Sequence, residues 1–199
     1  MEGTSRRRAW LVRLAALIGL LAGVIVAGML LVSKADGPVF VFAGGPFRSG
    51  EEVDFDAVDW RAIDRLNELE MEIVGAASSL TLWFSVHDGA PYVACDLDCV
   101  GGMLARWPQQ IDRDDRVVLR VDGKRVEGRL IFVPHGSEEY EAARAAREAK
   151  YSGEAGGRAA AETAAHGAVV SVGETLTGRT RREEPGDRLY RVVPRSAGE

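Results

Sequence analysis

Nineteen consecutive residues without a charge, Leu14 to Val32, constrain this chain more than any other feature. Extended back to Trp10 the run reaches 23 residues, interrupted only by Arg13. As a helix at 1.5 Å per residue, 23 residues span about 34 Å, against roughly 30 Å of bilayer hydrocarbon. Arg13 lies near enough to the end to snorkel, and Trp10 suits the headgroup boundary. The sequence therefore predicts a transmembrane helix over residues 10–32, with the bilayer as its partner. Arg6, Arg7 and Arg8 place the tail 1–9 in the cytoplasm by the positive-inside rule, and the body outside it, at the cell membrane. The alternative is a cleaved secretory signal, because Ser33-Lys34-Ala35 puts small residues at both cleavage-defining positions. An apolar signal core runs to about 7–15 residues, so nineteen favours an uncleaved anchor.

The charge balance supports this division. The first 34 residues hold five bases and one acid, which leaves 20 bases and 29 acids, a net −9, for the remainder. A body so acidic does not fit duplex nucleic acid, whose binding rests on phosphate neutralisation. Only two cysteines are present, so the chain is not a disulfide-stapled scaffold.

Beyond the helix, residues 33–67 read as a connector: a Gly/Pro/Ser-rich loop, an acidic stretch (Glu51, Glu52, Asp54, Asp56, Asp59) and a helical turn from Trp60. Those acids lack the spacing of a calcium loop. The barrel domain is expected over 68–199. Glu68–Ile73 (ELEMEI) alternates with period two and predicts a half-buried strand with one solvated face. Ser79–His87 alternates again, with Leu80, Leu82, Phe84 and Val86 opposite Ser79, Thr81, Trp83, Ser85 and His87. That second face is polar yet aromatic and can hold a planar ligand. Asp88-Gly89 turns the chain into a strand at Tyr92–Cys95, and Asp122-Gly123 joins Arg116–Val121 to Val126–Val133. Met103–Ile111 is a helix candidate bent or restarted at Pro108. Ser137 caps an amphipathic helix over Glu138–Tyr151. Residues 152–187 read as a flexible insertion, and Leu189–Val193 as a last strand. Six strands without βαβ alternation predict a mainly β fold with α additions, an antiparallel barrel.

The order TLWFSVHDGAPYVA, then RWPQQIDRDDRVVLRVDGKRVEGRLIFV, then a helix ending in AKY, resembles the split β-barrel flavin-binding proteins. The nearest branches are the deazaflavin-dependent nitroreductase-like and pyridoxamine-phosphate-oxidase-like ones. The likeness covers Glu68 to Tyr151, with RLYRVVPR as a closing strand. It implies a six-stranded split β-barrel, often homodimeric, with FMN or the deazaflavin F420 in a groove. Trp83 and Ser85, on the strand that lines the groove, and the pair Arg106-Trp107 are the implied cofactor-binding residues. The implied activity is a membrane-anchored FMN- or F420-dependent oxidoreductase, the cofactor supplying the hydride chemistry. The F420-binding branch usually carries a basic phosphate loop between its first two strands. Here that place is Val74–Ser79, without Lys or Arg. The competing reading is a cofactor-free extracytoplasmic module for binding or assembly on the same fold.

The residues add no protein catalyst. His87, His135 and His166 stand apart and accompany no nucleophile motif. Arg120 and Lys124 read as solvated charges on the barrel exterior. Cys95 and Cys99 can bond only through a turn at Asp96–Asp98, or remain free thiols. Two thiols with no nearby His fall short of a metal site.

Overall fold

The computed structural model describes residues 2–39, 42–95, 107–152 and 188–195. Its elements in chain order are α1 (Glu2–Val32), β1 (Gly37–Val39), β2 (Phe42–Gly45), β3 (Glu51–Glu52), α2 (Trp60–Ile63), β4 (Glu68–Ile73), β5 (Ser78–His87) and β6 (Ala90–Cys95). There follow α3 (Trp107–Ile111), β7 (Arg116–Val121), β8 (Lys124–Val133), α4 (Glu138–Tyr151) and β9 (Arg188–Pro194). Arg106, Cys99, His166 and the insertion expected at 152–187, apart from Ser152, lie outside the described residues.

Six strands close a barrel in the order β5–β4–β7–β8–β9–β6 and back to β5, every pair antiparallel. Two ten-residue strands make closure possible by changing partners along their length. Ser78–Trp83 pairs with β4, whereas Phe84–His87 pairs with β6. Likewise β8 gives its first half to β7 and its second to β9. Both hairpins turn on Asp-Gly: Asp88 and Asp122 lie at φ 52° and 51°, and Gly89 and Gly123 at 77° and 75°. Two successive left-handed residues match the twist of the flanking strands.

Met71, Phe84, Val93, Val117, Leu119 and Val126 are fully buried in the barrel interior, where Trp60, Ile63 and Trp107 join them. A second cluster, Tyr92, Val133, Tyr140, Ala143 and Leu189, packs α4 onto the outer wall. As the sequence predicts, Ser137 caps α4, its hydroxyl accepting from Tyr140 N at 3.1 Å. Pro108 is the second residue of α3, where a helix needs no N–H.

Three expectations are refined by the structure. Of the stretch expected as a connector, 33–67, β2 pairs with β5, β3 runs parallel to β8, and Val58, Trp60 and Ile63 enter the core. The glutamate face of β4 is not simply solvated, since Glu68, Glu70 and Glu72 each accept a hydrogen bond from another element. The second face of β5 is largely covered, with Ser79 at 0% and Ser85 at 1% exposure. Helix α1 carries exposed apolar side chains, Leu17, Leu20, Val24 and Leu31 among them. Among the described residues no helix is long and apolar enough to cross a membrane.

Candidate functional site

The point where β5 changes partner leaves backbone groups that the barrel ladder cannot satisfy alone, and the end of α4 supplies what is missing. Lys150 and Tyr151 close the helix and reach the same carbonyl, that of Phe84. Lys150 Nζ donates to Phe84 O at 2.7 Å and to Asp64 Oδ1 at 2.9 Å. Tyr151 Oη lies 2.8 Å from Phe84 O and 2.7 Å from Asn67 O. Asp64 also accepts from Val86 N, so one carboxylate binds the helix end to the lower half of β5.

Burial disfavours the charged ammonium and lowers the Lys150 pKa, while Asp64 works against that shift. The Tyr151 phenol is raised, chiefly by burial. Neighbouring this corner is a cleft of about 250 Å³ lined by Arg61, Asp64, Val86, Asp88 and Gly89.

Trp83 stacks on Tyr151, with ring centroids 5.4 Å apart and planes 25° from parallel, and its indole N–H donates to Glu68 Oε1 at 3.3 Å. Ser85 is buried, and its hydroxyl has no hydrogen-bond partner among the described residues. Trp107 is 6% exposed and packs against Tyr190 at 5.2 Å. The residues expected to share a groove are thus divided: Trp83 meets the α4 terminus, Ser85 is buried in the wall, and Trp107 belongs to the core. Arg106 lies outside the described residues.

Arg120, expected as a solvated charge, is instead a hub with 15% side-chain exposure. It pairs with Glu70 and with Asp36, donates to Ser49 Oγ at 3.0 Å, and lies 4.3 Å from the centroid of the Phe47 ring. Hydrogen bonds from Ser49, then from the Arg48 backbone, hold the Asp36 carboxyl well below the usual carboxylate range. The larger cleft, about 560 Å³, borders this hub and is walled by Ser49, Glu68, Glu70, Thr81, Arg120 and Asp122 among others.

Among the described residues, neither cleft's lining fits FMN or F420. A phosphate-bearing cofactor needs unpaired cations or helix-terminal donors. The larger cleft offers three carboxylates, Glu68, Glu70 and Asp122, and one arginine already paired with Glu70 and with Asp36. The smaller cleft is below the roughly 300–1,000 Å³ typical of ligand pockets. Among the described residues no group of three or more His, Cys, Asp or Glu side chains is placed to hold a metal.

Sequence reasoning missed Lys150 and Asp64, and weighed Arg120 only as a charge near a ligand or, preferentially, a solvated exterior one. The AKY ending of α4 was the one available signal, because a lysine followed by an aromatic at the end of an amphipathic helix can reach back onto a sheet. Cys95 is disulfide-bonded, and Cys99 is the chain's one other cysteine. No protein-family model matches this sequence, and no curated protein matches it.

Proposed function

We propose that this protein is a single-pass membrane protein, its N-terminus cytoplasmic, carrying a split β-barrel that serves outside the cytoplasm as a binding or assembly module. The observation that carries the reading is α1: a 31-residue helix on which the apolar side chains from Leu17 to Leu31, among them Leu20, Val24 and Leu30, are exposed. So much contiguous apolar surface requires an apolar neighbour, and lipid supplies it around the whole helix circumference. The disulfide at Cys95 supports an oxidising compartment for the body, since such bonds are rare where glutathione keeps thiols reduced.

The choice of a module over an oxidoreductase is supported by the use this chain makes of its own aromatics. The ring of Trp83 is taken by Tyr151, and Trp107 by the core. The oxidoreductase reading retains the closed barrel in its favour.

Alkaline carbonate extraction of membranes, combined with protease accessibility in intact cells, tests the proposal. Retention in the pellet with a body digested from outside supports it. Extraction into the supernatant refutes the anchor, and a body protected until lysis refutes the orientation. Flavin-like absorption from the purified full chain would restore the oxidoreductase.

A further inference from the structure

The passage from α1 to the barrel takes four residues, 33–36, and none of them is loose. The helical hydrogen-bond pattern continues past Val32, with Ser33 N donating to Met29 O, Lys34 N to Leu31 O and Ala35 N to Val32 O. The carbonyls of Lys34, Ala35 and Asp36 are each taken by the strap 42–50 or the barrel wall. Arg48 Nη2 donates to Lys34 O at 2.7 Å, Gly45 N to Ala35 O at 3.1 Å, and Arg120 Nη2 to Asp36 O at 3.1 Å. The Asp36 carboxylate accepts from Arg48 N at 2.6 Å and from Arg120 Nη1 at 3.1 Å. Arg120 in turn is fixed to Glu70 on β4, and the neighbouring Glu72 accepts from Phe47 N at 2.7 Å.

Close packing fixes the backbone here as well. A Cβ on Gly44 would run into the backbone carbonyl oxygen of Gly37, and Gly37 itself lies at φ 91°. Glycine meets both demands.

We propose that residues 33–39 and 42–50 form a rigid clamp rather than a tether, so that α1 and the barrel turn as one body. A flexible linker leaves its domain free to reorient, whereas here the carbonyls of Lys34, Ala35 and Asp36 and the Asp36 carboxylate are bound to the barrel side. Resting on the membrane reading, the consequence is that tilt or rotation of α1 in the bilayer is delivered to the barrel surface.

Paired spin labels at Val26→Cys and Ala57→Cys, in the full chain with its native disulfide intact, read the joint by pulsed dipolar spectroscopy. The measurement is made in detergent micelles and again in phosphatidylcholine bilayer discs. A single narrow distance is expected, and its loss in Asp36→Ala and in Arg120→Ala, with the circular dichroism of the barrel retained. A broad distribution in the otherwise unaltered chain overturns the clamp, as does an unchanged narrow distance in Asp36→Ala. Should Arg120→Ala fail to fold, Asp36→Ala decides, because it removes a surface partner and no core atom. Failure of the chain to enter the discs refutes the anchor, and the micelle distance then judges the clamp by itself.

Discussion

Lys150 holds Phe84 from two directions: its ammonium donates to the Phe84 carbonyl at 2.7 Å and lies 3.9 Å from the centroid of the Phe84 ring. That residue begins the half of β5 that pairs with β6, so the end of α4 pins the strand where the barrel splits. Half-buried charge is retained there because Asp64 and the carbonyl both face it.

Lys150→Met should lower the unfolding free energy by about 1–3 kcal/mol, the cost of losing charge-assisted hydrogen bonds at a partly buried site. Tyr151→Phe should cost about 1 kcal/mol. Because both side chains serve one carbonyl, the double variant should depart from additivity by about 0.5 kcal/mol or more. Urea denaturation of the four proteins measures the coupling, and strict additivity would contradict a shared role.

Trp107 and Trp83 should separate sharply. Trp107→Ala empties a core position and is expected to cost about 3–5 kcal/mol. Trp83→Ala loses one stacked partner on a half-buried surface and should cost about 1–2 kcal/mol. Comparable costs in chemical denaturation would mean that the two residues share one environment.

Alkaline titration should find late-ionising tyrosines. Burial, aided by Glu139, pushes Tyr92 up to about 12 from the ordinary 10.0, and burial also raises Tyr151 and Tyr190. A folded value above the unfolded one means stability that is complete below about pH 10 and is lost as pH rises through about 12. Lys150 opposes this trend, since its lowered value imposes a cost that is relieved with rising pH. Phenolate absorbance therefore reports more directly than stability. The native protein should show little change at pH 10 from these three residues, and urea should restore it. On the acid side, hydrogen bonds from Arg116 hold Asp114 at about 2, so its contribution is present above 3.8 and lost as pH falls through 2.

Reduction should destabilise the barrel by about 2 kcal/mol if the bond closes the five-residue loop from Cys95 to Cys99. The protein purified without reductant should give no thiol reaction with maleimide in urea, and two equivalents after reduction. A thiol signal before reduction would contradict the bond at Cys95.

Much of the barrel was legible along the chain. Period-two alternation gave β4 its full bounds, two Asp-Gly pairs marked the hairpins and with them β7, and Ser137 with its following acids marked the start of α4. Each is a local preference, set by φ/ψ allowance or by side chains a few residues apart. The site was less legible because alternation assigns a residue to a face without saying what covers that face. Ser79 and Ser85 shared a polar face in the sequence, yet β2 covers the first, its Gly45 carbonyl accepting the Ser79 hydroxyl at 2.7 Å.

By itself the sequence determined the uncharged N-terminal run, the strands, the turns and the capped helix, because nearest neighbours and simple periodicity control them. The tertiary structure alone decided that Trp107 is core, that β2, β3 and Trp60 pack with the barrel, and that Arg120 meets Asp36 across 84 positions. Such pairings depend on how strands change partners on closing, and a charge or an aromatic ring carries no record along the chain of which distant group will face it.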